Sequence, residues 1–336
     1  MANRPTIYDV AQRAGVSKSL VSLVMQGSPR VGESSRAAVR AAIAELGYRP
    51  SRAAASLAAS RTRTVGVLID DYTNLWFVDL VRGLHAALGP AGYRLAVVDV
   101  ASAGQAEDPV ESMLSMRVDG MVLGMDPPQT LVDLDGAPHV PPVVVAGTRE
   151  DRDLPYDAVA NDDAEGARLA ARHLVGLGHR RLGQLPVAGG AGTARSAAFA
   201  AEAGRLGAVV VEAGRAAQAT DDAGFRAAAE VLERDRSVTA LFAANDVMAV
   251  GAMGAARAAG VDVPRELSVV GYDDTSLAAA RLIGLTTVDD RSFDVGRTAG
   301  ELLLPRMSEE RRGRAAPVRR MLEPRLVVRS TTVSPP

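Results

Sequence analysis

From Thr64 onward the chain alternates short apolar runs with amphipathic helical stretches, and this alternation restricts its fold more than any other feature. Runs rich in Val, Leu, Ile and Ala at 65–69, 94–98, 120–123, 143–146, 182–185, 208–211, 240–243 and 268–271 read as strands. Helical patterns fit between them at 75–88, 164–177, 194–206, 224–232 and 247–259. Continuously apolar strands separated by helices predict parallel sheets covered on both faces. Eight strands over this stretch suit two doubly wound units better than one closed barrel. Ligands of such folds bind at the carboxyl ends of the strands. Those ends carry Asp70-Asp71, Gly147-Thr148, Asn245-Asp246 and Asp273-Asp274. Carboxylates and amides accept from and donate to several hydroxyls at once, so these pairs form a candidate polyol-binding ring. Each adjacent pair can equally cap the helix that follows it.

The first 63 residues break the pattern. They hold 10 Lys and Arg against 3 Asp and Glu, a net of +7, whereas the remaining 273 hold 28 against 37, a net of −9. The formal charge of −2 for the 336-residue chain is therefore a cancellation between a basic head and an acidic body. A basic head of this size points to a polyanionic partner. Thr6-Ile7-Tyr8-Asp9 is a helix start, with Thr6 as cap and Asp9 at the capping-box position. Ile7, Val10, Ala11 and Ala14 make one apolar face, and Gly15 ends that helix. Ser17 can cap a second helix from Lys18 to about Met25, with Val21, Val24 and Met25 inward. A third segment over about 33–46 turns Val39, Ile43 and Leu46 inward, Gly47 stops it, and Tyr48 packs back on the three-helix core. Two short helices joined by Ala-Gly-Val-Ser form a helix-turn-helix. In a DNA reading the second helix enters the major groove, with Lys18, Ser19 and Ser22 facing bases or phosphates. The alternative is a three-helix bundle that binds protein.

After Pro50 comes a short alanine-rich stretch flanked by arginines, with Leu57 as its one large apolar side chain. A helix this short folds only when packed or bound. An apolar wedge beside arginines can unstack a base step from the minor groove; the other reading is a plain linker.

Catalytic and metal chemistry find little support. The chain has no cysteine, hence no disulfide framework, thiolate metal site or cysteine nucleophile. Lys18 is the only lysine and follows Ser17, which excludes a Walker A loop. His85, His139, His173 and His179 lack metalloprotease spacing, and His173 and His179 read as structural. Gly189-Gly190-Ala191-Gly192 lacks the dinucleotide spacing, and no G-x-S-x-G elbow occurs. The chain therefore reads as no enzyme, with no cofactor and no metal. No signal-peptide pattern or transmembrane stretch is visible, which predicts a cytoplasmic protein without a membrane partner.

Several segments together resemble the LacI/GalR family of bacterial transcriptional regulators over nearly the whole chain. They include Thr6-Ile7-Tyr8-Asp9-Val10-Ala11 with Ala14-Gly15-Val16-Ser17, and Ala42-Ile43-Ala44-Glu45-Leu46-Gly47-Tyr48-Arg49-Pro50. Farther on are Asn74 to Phe77, Val118-Asp119-Gly120, His173-Leu174 with Leu177-Gly178-His179-Arg180-Arg181, Ala244-Asn245-Asp246, and Val269-Val270-Gly271-Tyr272-Asp273-Asp274. Leu285-Thr286-Thr287-Val288 and Pro324-Arg325-Leu326-Val327-Val328-Arg329-Ser330 complete the series.

The resemblance implies an N-terminal all-α helix-turn-helix DNA-binding domain (1–49), a hinge helix and linker (50–63), and an α/β periplasmic-binding-protein-like domain (64–336). The last binds effector and dimerises. Its two doubly wound, Rossmann-like subdomains are expected at about 64–160 plus 291–320 and about 161–290 plus 321–336. The implied function is a homodimeric regulator, in most cases a repressor, of a pseudo-palindromic double-stranded operator, controlled by a small effector such as a sugar or related polyol. A solute-binding protein of the same body fold is the alternative. The expected DNA-contacting residues are Thr6, Tyr8, Ser17, Lys18, Ser19, Ser22, Arg30, Ser51, Arg52, Ala54 and Leu57, the last matching the family's minor-groove wedge. The expected effector-binding residues are Asp70, Trp76, Phe77, Gly147, Arg195, Asn245, Asp273 and Asp290.

The chain departs from the family pattern at several positions. Leu23 replaces a common arginine and Leu20 a common threonine on the second helix. Ser51 replaces an asparagine at the hinge start. Ala197 falls where a relative's arginine clamps the ligand, Ala219 near a stacking aromatic, and Asp290 near a glutamine. Arg149 or Arg195 could compensate for the lost arginine.

Overall fold

The computed structural model describes residues 5–25, 27–48, 61–101, 108–134, 137, 140–147, 155–216, 218–308 and 316–336. The chain divides into two compact units, Met1–Thr62 and Arg63–Pro336.

The first unit holds three helices, α1 (Ile7–Ala14), α2 (Lys18–Met25) and α3 (Glu33–Leu46). The start of α1 is a complete capping box. The Thr6 amide donates to Asp9 Oδ2 at 2.7 Å and the Asp9 amide to Thr6 Oγ1 at 3.4 Å. Gly15 closes α1 and Gly47 closes α3 in the left-handed conformation, as the helix-stop reading expects. Val10, Val21 and Val39 are fully buried and form the centre of a small core with Val24, Ala42 and Tyr48.

The second unit is built from strands β1 (Thr64–Ile69), β2 (Arg94–Asp99), β3 (Gly120–Leu123), β4 (Val143–Ala146), β5 (Asp157–Asn161), β6 (Arg181–Leu185), β7 (Val209–Glu212), β8 (Ala240–Ala243), β9 (Ser268–Tyr272), β10 (Thr286–Asp289), β11 (Arg319–Leu322) and β12 (Arg325–Val327). Its helices are α4 (Trp76–Leu88), α5 (Pro109–Ser115), α6 (Gln129–Asp133), α7 (Asp163–Gly176), α8 (Gly190–Arg205), α9 (Asp221–Arg234), α10 (Asp246–Ala258) and α11 (Ser292–Arg306). Two six-stranded sheets result, ordered β11-β5-β4-β3-β1-β2 and β12-β10-β9-β8-β6-β7. The chain passes between them after β5, after β10 and after β11. The helix α11 returns to the first sheet, packing on α4 and against β3, β4 and β5.

Eight strands are visible as apolar runs, whereas the structure adds four more among the described residues. The extra strands carry other signals. β5 alternates buried and half-buried residues. β10 buries Thr286 and Thr287, whose hydroxyls find partners in Thr332 and Asp246. β11 and β12 lie at sheet edges with arginines exposed. The sheets are also not wholly parallel, since β12 runs antiparallel to β10. Helix α8 begins at Gly190, earlier than expected, although glycine is a poor helix former. There Gly192 faces the Val187 carbonyl so closely that an added Cβ would lie 2.4 Å from it.

Helices α4 and α11 cross with their backbones touching. A Cβ on Gly83 would lie 2.0 Å from the Phe293 carbonyl oxygen, and one on Gly296 2.0 Å from that of Leu80. Overpacking such a crossing costs about 1–3 kcal/mol. Gly83→Ala is therefore expected to lower the unfolding free energy from urea titration by that amount despite alanine's better helix propensity; an unchanged midpoint would contradict this close packing.

Candidate functional site

Two surfaces carry the residues singled out by sequence. The first is on the helical head. Thr6, Tyr8, Ser17, Lys18, Ser19 and Arg30 are exposed, and Ser22 is half-buried. Ser17 Oγ accepts from the Leu20 amide at 3.2 Å, so Ser17 starts α2. The Lys18 ammonium donates to Tyr8 Oη at 3.3 Å and lies 5.0 Å from the centre of its ring. This contact joins α1 and α2 into one exposed surface. Leu20 packs toward the head core, while Leu23 points outward, 40% exposed. Ser51, Arg52, Ala54 and Leu57 lie outside the described residues, as do Thr148 and Arg149.

The second surface is a buried charge cluster at the carboxyl ends of the second sheet. Asp162 caps α7 by accepting from the Glu165 amide, which sets Asp163 at the first helical position. Arg195 lies within α8 and reaches across to β8 and β9. Its Nε donates to Asp163 Oδ1 at 2.6 Å, and one terminal nitrogen donates to the Ala244 carbonyl at 2.8 Å and to Asp273 Oδ1 at 3.3 Å. Its other terminal nitrogen lies 3.8 Å from Asp290 Oδ2. The guanidinium carbon sits 3.7 Å from the centre of the Tyr272 ring, a close cation–π contact. Trp76, at the start of α4 in the other lobe, donates its indole N–H to Asp290 Oδ2 at 2.7 Å. Phe77 packs edge-on against Trp76, with ring centres 5.2 Å apart.

One guanidinium thus faces three buried carboxylates. Burial pushes the Asp290 carboxyl up to about 8, with Arg195 opposing that rise. Asp273 is also driven well above the usual carboxylate range by burial, against the pull of Arg195. Burial likewise raises Tyr272. It works against the charge on Arg195, but Asp163 and then Asp273 outweigh that penalty and raise its pKa. Among the described residues Asp163 Oδ2 and Tyr272 Oη are buried without a hydrogen-bond partner. Asp273 and Asp274 adopt φ of 99° and 49°, unusual for non-glycine residues and characteristic of strained functional loops.

The expected effector residues separate into groups. Trp76, Arg195, Asp273 and Asp290 meet directly, and Phe77 supports Trp76. Asn245 is adjacent, but its side chain accepts from the Met248 amide at 2.9 Å and so caps α10. Asp70 is exposed at the end of β1, and Gly147, buried with φ of 95°, follows β4. Asp274 pairs with Arg329 at 2.6 Å. The neighbouring Asp246 accepts from the Thr275 amide, the Thr275 hydroxyl and the Thr287 hydroxyl, and burial lifts it to about 6. The sequence reading passed over Asp163, Asn161 and Tyr272 as site residues. Asn161 Nδ2 donates to Asp163 Oδ1 at 2.9 Å. The run Asn161-Asp162-Asp163 at a strand-to-helix junction was the available signal.

His179 is buried with its ring nitrogens bonded to Thr239, Ser268 and the Val333 carbonyl, and His173 meets Thr332. Both fasten the C-terminal segment to the second sheet. Among the described residues no group of three or more His, Asp or Glu side chains could hold a metal ion. No helix among them is long and apolar enough to cross a membrane.

Comparison with known proteins covers both units. Residues 6–51 match bacterial regulatory proteins of the lacI family, and residues 171–332 match the periplasmic binding protein-like domain. The HTH-type transcriptional repressor PurR of Escherichia fergusonii is 32% identical over 98% of each chain. The transcriptional regulator CelR in complex with cellobiose is 31% identical, with a TM-score of 0.70 over 98% of this chain and 100% of CelR. The lac repressor dimer bound to operator and the anti-inducer ONPF is 28% identical, with a TM-score of 0.83 over 98% of this chain and 100% of that one.

Proposed function

The chain belongs to the LacI family of bacterial regulatory proteins, and from that premise we propose how its parts divide the work of an effector-controlled, DNA-binding repressor. Residues 1–49 bind DNA, 50–63 form the hinge, and 64–336 bind effector and dimerise. The operator is pseudo-palindromic, because a two-fold dimer presents two equivalent heads. On each head Lys18, Ser19 and Ser22 face the major groove, and Leu23 offers an apolar contact to a thymine methyl. Thr6, Tyr8, Ser17 and Arg30 hold the backbone on either side. The hinge residues Ser51, Arg52, Ala54 and Leu57 take the minor groove.

The effector is a sugar or related polyol held where Trp76, Arg195, Asp273 and Asp290 converge, flanked by Phe77, Asn245, Asp70 and Gly147. The observation that carries this reading is the 2.7 Å bond from Trp76 to Asp290. It joins the two lobes at the carboxyl ends of the strands, where ligands of such folds bind. A ligand that takes the Asp290 carboxylate replaces this contact between the lobes. It thereby favours one lobe arrangement and alters the spacing of the two heads. The cellobiose complex of CelR supports a carbohydrate. The second copy is expected on the face of the second lobe that carries Phe225 and Leu282, which are 39% and 97% exposed. The solution of the lac repressor as a dimer supports this assembly. The helical head separates the chain from a solute-binding protein.

Titrating the protein with its own promoter DNA tests the division. A head with net charge +7 that neutralises about six phosphates per complex loses about 1,000-fold in affinity between 50 and 200 mM salt. An affinity indifferent to salt would refute the electrostatic role of the head. Trp76 is the only tryptophan, so a true effector must also change its emission.

A further inference from the structure

The charges around Arg195 do not balance. Asp163, Asp273 and Asp290 are 2%, 4% and 0% exposed, and Arg195 is the one cation among the described residues that reaches them. The neighbouring guanidinium groups are engaged elsewhere: Arg291 with Asp294, Arg325 with Asp289, and Arg329 with Asp274. Asp163 Oδ2 is a buried acceptor with no donor, at the centre of the same group. A carboxylate that is buried needs a counter-charge, a proton or several hydrogen-bond donors. The indole N–H of Trp76 and the Ser292 amide donate to Asp290 at 2.7 and 3.1 Å, and Asn161 donates to Asp163. Among the described residues two of the three carboxyl groups remain without a cation.

We propose that the effector is a polyhydroxylated amine, its protonated nitrogen held between Asp290 and Asp273 and its hydroxyls bonded to the free oxygen of Asp163. This rests on the effector-site reading above and names the ligand class of that site. A neutral sugar supplies hydroxyl donors but no charge, whereas an ammonium supplies three donors and the missing cation. In the unliganded protein protons occupy that place. The groups facing Asp290 are Arg195 of α8, Asp163 of α7, Asp273 after β9, Asp289 of β10 and Trp76 of α4; Tyr272 and Asp246 complete the surroundings. With Asp290 lifted to about 8, an ammonium binding at neutral pH displaces a proton to solvent. Affinity then rises with pH toward 8 and levels off above it, provided the ligand amine stays charged.

The test uses full-length protein and two matched pairs: 1-amino-1-deoxyglucitol against glucitol, and glucosamine against glucose. Trp76 emission and calorimetry in buffers of different ionisation enthalpy read affinity and proton release at pH 6.5 and 7.5. The expected result is an amine at least about tenfold tighter than its hydroxyl twin, a difference of roughly 1.4 kcal/mol, with proton release on binding. Asp290→Asn, whose amide oxygen can still accept from Trp76, should bring the two members of a pair to within about threefold. Neutral members binding as tightly as the amines would overturn the proposal while leaving the effector site standing. No saturable response from any of the four compounds would also overturn it, and operator release by some other ligand with a Trp76 response would then still uphold the effector site.

Discussion

Arg195→Leu is expected to cost about 3–5 kcal/mol of folding stability at pH 7, because it removes the cation that faces Asp163, Asp273 and Asp290 and leaves any ionised member of the group buried and unpaired. The loss comes from the charges left behind more than from the bonds removed. Leucine fills much of the side-chain volume but cannot donate to Asp163, Asp273 or the Ala244 carbonyl. The effect has a definite pH sign. Burial raises the folded-state pKa of Asp273 and Asp290, so the fold favours their protonated forms. Their contribution is fully present below the unfolded carboxylate range and is lost as pH rises through the folded values, about 8 for Asp290. Without Arg195 nothing offsets the charged forms, so the deficit of the variant should be larger at pH 8 than at pH 5. Adding Asp290→Asn to Arg195→Leu should recover part of the loss, since the two sites share one network. Urea unfolding at the three pH values measures all of this. A deficit under about 1 kcal/mol at every pH, the size of an exposed ion pair, would mean that the cluster is not electrostatically coupled.

The second large effect concerns assembly. Leu282 is 97% exposed and Phe225 39% exposed, and chain neighbours of both pack on one core cluster of the second lobe. Phe225 lies on α9 and packs near Gly254 of α10; Ala278 and Ile283, beside Leu282 in sequence, join that core. Single exposed apolar residues are ordinary, but a leucine this open, beside a core cluster that also underlies α9, fits an isologous two-fold contact. Joining two heads in one particle turns the second half-site contact into an intramolecular event worth 10²–10⁴ in affinity by the usual range. The double variant Phe225→Asp, Leu282→Asp is therefore expected to sediment as a monomer and to bind operator about 100-fold more weakly, with its far-ultraviolet spectrum unchanged. A variant that remains dimeric would place the interface elsewhere.

The elements most legible in the sequence are those written in local periodicity. The three helices of the head follow from Thr6, Gly15, Ser17 and Gly47, each acting on neighbours within one turn. The eight apolar strands follow from continuous runs of Val, Leu, Ile and Ala, although the edge strands β2 and β7 are only half-buried. β10, β11 and β12 were not legible, because their stability comes from partners far along the chain: Thr286 and Thr287 are buried only because Thr332 and Asp246 satisfy them. The effector cluster shows the same division. Arg195, Asp273, Asp290 and Trp76 could each be singled out, yet the Arg195–Asp273 contact spans 78 residues and the Trp76–Asp290 contact 214. Asp163 escaped notice because an aspartate at a strand-to-helix junction reads first as a cap, and its neighbour Asp162 does fill that role.

The sequence by itself determined the partition into a basic head and an acidic body, the helix-turn-helix, and a body of strands alternating with helices whose binding groups stand at strand ends. These rest on charge counts and on periods of two to four residues. Only the tertiary structure decided which polar residues at those ends are engaged in capping, as Asn245 is, and which converge on one guanidinium. A side chain's charge state and its contacts depend on burial and on partners brought together by folding, and neither is written within a few residues of its position.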